Sequence, residues 1–225
     1  MYKRQVYGRD ENNSVGKQGL NGWIFALLTL DTMGYKTPEG AEFDRERILD
    51  KIVSSQNTDG GFSLSKGESD IDITAMALQA IAPYYNDFSR DDVRKSVDKA
   101  VEYLSGKQDS SGTFGSAEAD SQVVIALCSL GIDPEADSRF VENADLLTAL
   151  LSYQNSDGGF SHEKGGDSDE LATGQALCAL AAQKRFELTM RRIYDMREEL
   201  SVLQREKLDG INGRLSDISD EESAE

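Results

Sequence analysis

Histidine, tryptophan, cysteine and proline are nearly absent from this chain. Its 225 residues hold one histidine, one tryptophan, two cysteines and three prolines. A single histidine leaves little material for a Ser/His/Asp triad. Two cysteines are too few for a disulfide framework. Basic residues are also short: 24 Lys and Arg stand against 41 Asp and Glu, for a formal net charge of −17. Phosphate binding needs a basic surface, so nucleic acid is excluded as a partner. Docking on anionic lipid is disfavoured for the same reason. No apolar run approaches the roughly 20 residues of a membrane-spanning helix. There is no secretory signal at the N-terminus, no glycine-rich phosphate loop and no Gly-x-Ser-x-Gly.

Two local features qualify that picture. Residues 1–5 (Met-Tyr-Lys-Arg-Gln) resemble the in-frame translation of a transposon-end sequencing adapter. They read as non-native sequence, with the true start upstream. Cys128 and Cys178 each sit in an apolar helical run, which predicts two small buried hydrophobes.

What is present is a repeat. Gln56-Asn57-Thr58-Asp59-Gly60-Gly61-Phe62 recurs as Gln154-Asn155-Ser156-Asp157-Gly158-Gly159-Phe160. A degenerate copy, Gln108-Asp109-Ser110-Ser111-Gly112-Thr113-Phe114, lies between them. The glutamines are 52 and 46 residues apart, a period that suits paired helices. An amphipathic segment precedes each copy, over 42–56, 91–108 and 140–154, with apolar residues at helical spacing. A more apolar segment follows each, over 71–81, 121–130 and 171–181. A helix apolar nearly all round is expected to be buried. Residues 22–30 form a fourth apolar segment without a preceding outer partner. The expected architecture is all-α: apolar helices inside, amphipathic helices outside. Asp-Gly-Gly turns reverse the chain, because glycine accepts positive φ. Residues 191–208 carry Ile193, Met196, Leu200 and Leu203 at helical spacing and predict a charged helical tail. The final acidic residues read as frayed.

The Gln-x-x-Asp-Gly-Gly-Phe signature resembles the QW repeat of squalene-hopene and related terpene cyclases, with Phe where Trp is usual. The same ring of helix pairs occurs in protein prenyltransferase β-subunits and in cobalamin carriers. The wider similarity, over about residues 20–196, is to bacterial surface proteins carrying such a ring. The resemblance implies an α/α toroid over 6–196, followed by a charged helical tail or linker over 197–225. A closed ring in this family has about six pairs, each contacting its neighbours. Fewer are legible here, so the toroid is expected to be an incomplete ring whose partners include upstream repeats of the same chain. A cell-surface or extracellular location is also implied by the resemblance.

Asp70-Ile71-Asp72-Ile73-Thr74-Ala75 resembles the Asp-x-Asp-Asp-Thr-Ala motif of squalene-hopene cyclases. Asp72 matches the protonating middle aspartate and Asp70 the first; Ile73 replaces the third acid. A proton donor needs neighbours that tune its pKa. The competing reading is that Asp70 and Asp72 cap the inner helix and face its positive dipole end. Acids recur before the later inner helices, at Glu118 and Asp120 and at Asp167, Asp169 and Glu170, as caps would. Helix starts line one mouth of a toroid. Asp70, Asp72, Asp120, Asp169 and Glu170, with Trp23, are therefore the candidate rim of a small-molecule cavity. The zinc site of the prenyltransferases needs Asp, Cys and His together, and His162 with two mid-helix cysteines does not supply it. The Asn-x-Asp-Gly loops fail as calcium loops: Ser55 and Tyr153 stand at their first positions and Lys66 and Lys164 at their twelfth. No metal and no cofactor are expected.

The leading functional expectation is a non-catalytic binding or scaffolding toroid of a surface or secreted protein. The alternative is a terpene-cyclase-like isomerase with Asp72 as general acid. Three outcomes are open to measurement. Phe62, Phe114 and Phe160 should occupy like buried positions. An open arc with an apolar end should oligomerise, as read by light scattering. If Asp72 only caps a helix, its pKa should lie below the ordinary carboxylate value, and Asp72→Asn should cost on the order of 1 kcal/mol or less.

Overall fold

The alternation of apolar and amphipathic segments becomes an alternation of helices. The computed structural model describes residues 15–141, 143–197 and 209–210. Its α-helices are α1 (Leu20–Thr32), α2 (Arg45–Val53), α3 (Ile71–Ile81), α4 (Asp91–Ser105), α5 (Ala117–Leu130), α6 (Leu146–Leu151) and α7 (Glu170–Glu187). Among the described residues there is no named strand, only isolated bridges. The described fold is all-α, built from alternating apolar and amphipathic helices. The expectations for residues 1–5 and for most of 197–225 lie outside the described residues.

The chain divides into two compact units, Met1–Ser54 with Tyr194–Glu225, and Ser55–Ile193. In the first, α1 and α2 pair through Ile24, Leu27 and Leu30 on one side and Ile48, Leu49 and Ile52 on the other, all buried. Arg45 fastens the pair, its Nε donating to Asp31 at 2.7 Å and its Nη2 to the Leu30 carbonyl at 2.6 Å. Gly22 is obligatory here: a Cβ would stand 1.7 Å from the Val15 carbonyl oxygen. The Met196 N–H donates to the Thr32 carbonyl.

In the second unit, α5 packs between α3 and α7, while α4 lies against α3 and α6 against α5. The inner helices begin at side-chain caps. Asp70, Ser116 and Asp169 each accept the backbone N–H three residues on, and each has extended backbone. The three signature turns are equivalent. Phe62, Phe114 and Phe160 are all buried, as the repeat predicts. The glutamine at the head of each copy clamps its own turn: Gln56 to the Gly60 carbonyl, Gln108 to Gly112, Gln154 to Gly158. Gln56 also donates to the Ser96 carbonyl of α4, and Gln108 to the Phe140 carbonyl ahead of α6. One amide thus ties the first turn to α4 and the second to the segment ahead of α6.

Several sequence expectations shift. Helix α5 starts at Ala117 rather than 121, because Ser116 is its cap. Helix α7 runs on to Glu187 and closes with Thr189 at φ 54, the Met190 N–H reaching the Arg185 carbonyl. That closure also corrects the tail: residues 191–196 are turn and irregular chain, not helix, and 198–208 lie outside the described residues. Helix α6 is only Leu146–Leu151, not 140–154, because Asp145 caps it late and Phe140 is spent on the turn before it. The inner helices are not buried all round. Helix α7 touches α5 on one side and exposes Leu171 (63%) and Leu177 (59%) on the other. Cys178 lies on that exposed face, so only Cys128 keeps partial burial.

The turns make one contrast testable. Gly60, Gly112 and Gly158 all have positive φ, but a Cβ would meet the Lys99 carbonyl at 2.6 Å on Gly60 and the Ala144 carbonyl at 2.8 Å on Gly112. On Gly158 it would meet nothing within 4 Å among the described residues. Gly158→Ala is expected to cost about 1–2 kcal/mol from left-handed backbone alone. Gly60→Ala should cost at least about 1 kcal/mol more, since a backbone oxygen cannot step aside. Urea midpoints of the two variants measure the difference.

Candidate active site at the inner-helix starts

The signature loop returns the chain so that the N–H of its phenylalanine needs a buried acceptor. Phe62 donates to Thr74 Oγ1 at 2.8 Å and Phe160 to Thr173 Oγ1 at 2.9 Å. Each threonine stands four residues after the helix cap. Asp120 holds that register on α5: its carboxylate accepts from Phe114 N at 2.6 Å and from Thr113 Oγ1 at 2.8 Å. Asp120 is fully buried, and burial pushes its carboxyl up to about 7 against those hydrogen bonds. It closes a loop and does not belong to an exposed rim, which corrects that expectation. Asp169 is a plain N-cap, and Glu170 is an exposed first-turn acid. Trp23 belongs to the other unit, edge-on to Phe43 at 5.0 Å.

Asp70 and Asp72 differ from each other. Asp70 is the cap of α3, accepting from Ile73 N at 2.9 Å. Among the described residues, the buried Oδ1 of Asp72 has no hydrogen-bond partner. Burial first, then the charges of Asp70 and Glu118, push the Asp72 carboxyl up to about 6. His162 pulls it the other way. The helix-dipole expectation of a lowered pKa is therefore overturned. Desolvation of an unpartnered oxygen and two like charges outweigh a partial charge at the helix start. A raised carboxyl beside a second acid is what a proton donor requires.

The second acid comes from a neighbouring helix. Glu118 stands two residues after the cap Ser116, as Asp72 stands two after Asp70. Its charge acts on Asp72, whose own helix carries Ile73 where the motif has its third acid. Its side chain is only 13% exposed, and its Oε2 lies 2.9 Å from His162 Nδ1. That contact raises the His162 pKa. Sequence reasoning took Glu118 for a cap and gave His162 no role. The shared position two residues past the cap was the signal available. Among the described residues, no three His, Cys, Asp or Glu side chains are placed to hold a metal ion.

Helix pairs joined by glycine turns, with the inner helices side by side, define an α/α toroid. The model of the prenyltransferase alpha-alpha toroid domain family matches residues 9–221, and the chain belongs to that family. It is 33% identical over 145 residues to drimenyl diphosphate synthase of Streptomyces showdoensis, a match covering 60% of this chain and 26% of that protein. The chain thus spans about a quarter of the length of that curated relative. The solved structure of Candida albicans protein geranylgeranyltransferase-I complexed with GGPP is similar in fold, with a TM-score of 0.55 at 17% identity. That match covers 85% of this chain and 56% of the other. The expectation of a non-catalytic surface scaffold is corrected by the first of these matches. The sequence relative is a synthase.

The raised carboxyls have a thermodynamic consequence. Asp72 and Asp120 bind a proton more tightly folded than unfolded, where the ordinary value is 3.8. Their contribution to stability is fully present below that value and is lost as pH rises through about 6 and about 7. Stability should therefore fall between about pH 4 and pH 8. Asp72→Asn should flatten part of that slope and raise the urea midpoint near pH 8, where the wild type must bury a charge. A lower midpoint than wild type at that pH would contradict the desolvation assignment.

Proposed function

We propose that this chain carries the general acid of a protonation-initiated isoprenoid cyclase, with Asp72 as the donor and a linear isoprenyl diphosphate as the substrate class. The observation that carries the reading is the buried, unpartnered Oδ1 of Asp72 with its carboxyl raised to about 6. The drimenyl diphosphate synthase relative supports the substrate class. In its protonated form Asp72 gives its proton to the terminal alkene. The π pair forms a new C–H bond, and a tertiary cation remains. The next alkene attacks that cation and closes a ring. Loss of a proton from carbon ends the sequence, and the Asp72 carboxylate is reprotonated. Chemistry begun by protonation leaves the diphosphate C–O bond intact. Absence of any hydrogen-bond partner at Oδ1 keeps the acid uncommitted until an alkene arrives.

The test is incubation with farnesyl and geranylgeranyl diphosphate, followed by phosphatase treatment and product analysis. The wild type should yield a cyclic alcohol after dephosphorylation. Asp72→Asn should lose at least about 100-fold in turnover, the usual minimum for a general acid. Asp145→Asn, at the cap of α6, should lose stability but keep turnover. Equal turnover by wild type and Asp72→Asn would refute the assignment.

A further inference from the structure

A helix that meets water carries charge on its wet side. Helix α4 does so: its exposed positions are Asp91, Asp92, Lys95, Asp98, Lys99 and Glu102. Helix α7 does not. It buries Ala172, Ala176, Ala179 and Ala182, and its packing partner is α5. On its other side, between 171 and 181, the exposed residues are Leu171, Gly174, Leu177, Cys178 and Ala181, none of them charged. Gly174 is a separate observation. Glycine inside a helix costs about 1 kcal/mol relative to alanine. A close neighbour explains Gly22, where a Cβ would strike the Val15 carbonyl oxygen. A Cβ on Gly174 would meet nothing within 4 Å among the described residues. Packing inside this unit therefore does not require a glycine there, whereas a second helix crossing closely from outside does.

The charges of this face lie at its two ends. Glu170 stands at the start of α7, and Lys184 and Arg185 stand in its last turn. We infer that the exposed face of α7 seats α7 of a second copy of this chain, running antiparallel about a two-fold axis near residues 177 and 178. In that arrangement Glu170 of each copy comes opposite Lys184 and Arg185 of the other. Gly174 comes opposite Ala181, and Leu177 lies beside Cys178. A parallel arrangement would set acid on acid and base on base. Burial of Leu171 and Leu177, 63% and 59% exposed in the single chain, drives the association. Gly174 and Ala181 let the two backbones approach, and the end charges fix the direction. The formal charge of −17 on each copy opposes this. In about 0.15 M salt that repulsion is screened beyond roughly 8 Å, which leaves the charges at the contact to decide. A contact built on one helix is at the small end of stable interfaces, so the dimer belongs in the micromolar range. The inference does not depend on the role proposed for Asp72.

Light scattering of the whole chain between about 1 and about 100 μM tests this. The mass should rise from one chain to two. Gly174→Leu should hold it at one chain, while the urea midpoint of dilute protein stays level or rises, because leucine favours helix. Glu170→Lys and Lys184→Glu should each weaken the dimer by at least about 3-fold, and the double variant should recover it. Circular dichroism confirms that each variant is folded. A short bismaleimide should join two wild-type chains, and Cys178→Ser should prevent the join. A mass of one chain at about 100 μM would overturn the inference and leave the face to a different protein. Dimers that survive Gly174→Leu would place the contact elsewhere and overturn it too. So would a double variant no stronger than its single variants, or a cross-link that persists without Cys178.

Discussion

A buried phenylalanine brings its own backbone N–H out of water, and that N–H must be paired. This one demand organises the unit from Ser55 to Ile193. Thr74 and Thr173 meet it with a hydroxyl and Asp120 with a carboxylate, each four residues past a helix cap. Pairing at that position fixes where the inner helix starts. The start fixes the cap, and the cap fixes which side chains stand two residues further on. Those side chains are Asp72 on α3 and Glu118 on α5. The site is thus built from the packing rule of the repeat.

At that position two electrostatic effects compete. The helix start favours a carboxylate by a few tenths to about 1 kcal/mol at an exposed site. Burial of an unpartnered oxygen opposes it, and neighbouring carboxylates add to the opposition. For Asp72 the opposition wins, and the carboxyl rises to about 6. For Asp59 and Asp157, in the exposed turns, serine hydroxyls and glycine N–H groups win instead, and both are lowered. The same residue type therefore serves as turn fastener and helix cap or stands as a raised carboxyl, according to what surrounds it.

The repeat, the turns and the inner helix α3 could be read from sequence because each rests on local signals: a spaced glutamine, a pair of glycines, an aspartate ahead of an apolar run. The outer helix α6 could not, since its amphipathic pattern continues across Phe140, which the structure uses as an acceptor for Gln108. Exposure of Cys178 was equally hidden, because composition marks a helix as inner without saying how many neighbours it has. The reading of Asp72 as a second cap beside Asp70 has a related reason. Acids before helices recur, and recurrence was taken for equivalence. Separating the cap from the residue two further on divides them cleanly: Asp70, Ser116 and Asp169 at one position, Asp72, Glu118 and Leu171 at the other.

The third of those pairs of positions carries an apolar residue where the first two carry acids, and it lies at the open flank of α7. There, among the described residues, no backbone crosses the Gly158 turn, unlike Gly60 and Gly112. Leu171 and Leu177 face outward beside it. Every element of the socket that seats an outer helix elsewhere is already in place: a glycine without a Cβ, a glutamine amide, an apolar wall. A gene duplication that appended another helix pair would meet a site specified in advance. The residue two past each cap is then the position at which the modules differ in charge: Asp72, Glu118 and Leu171.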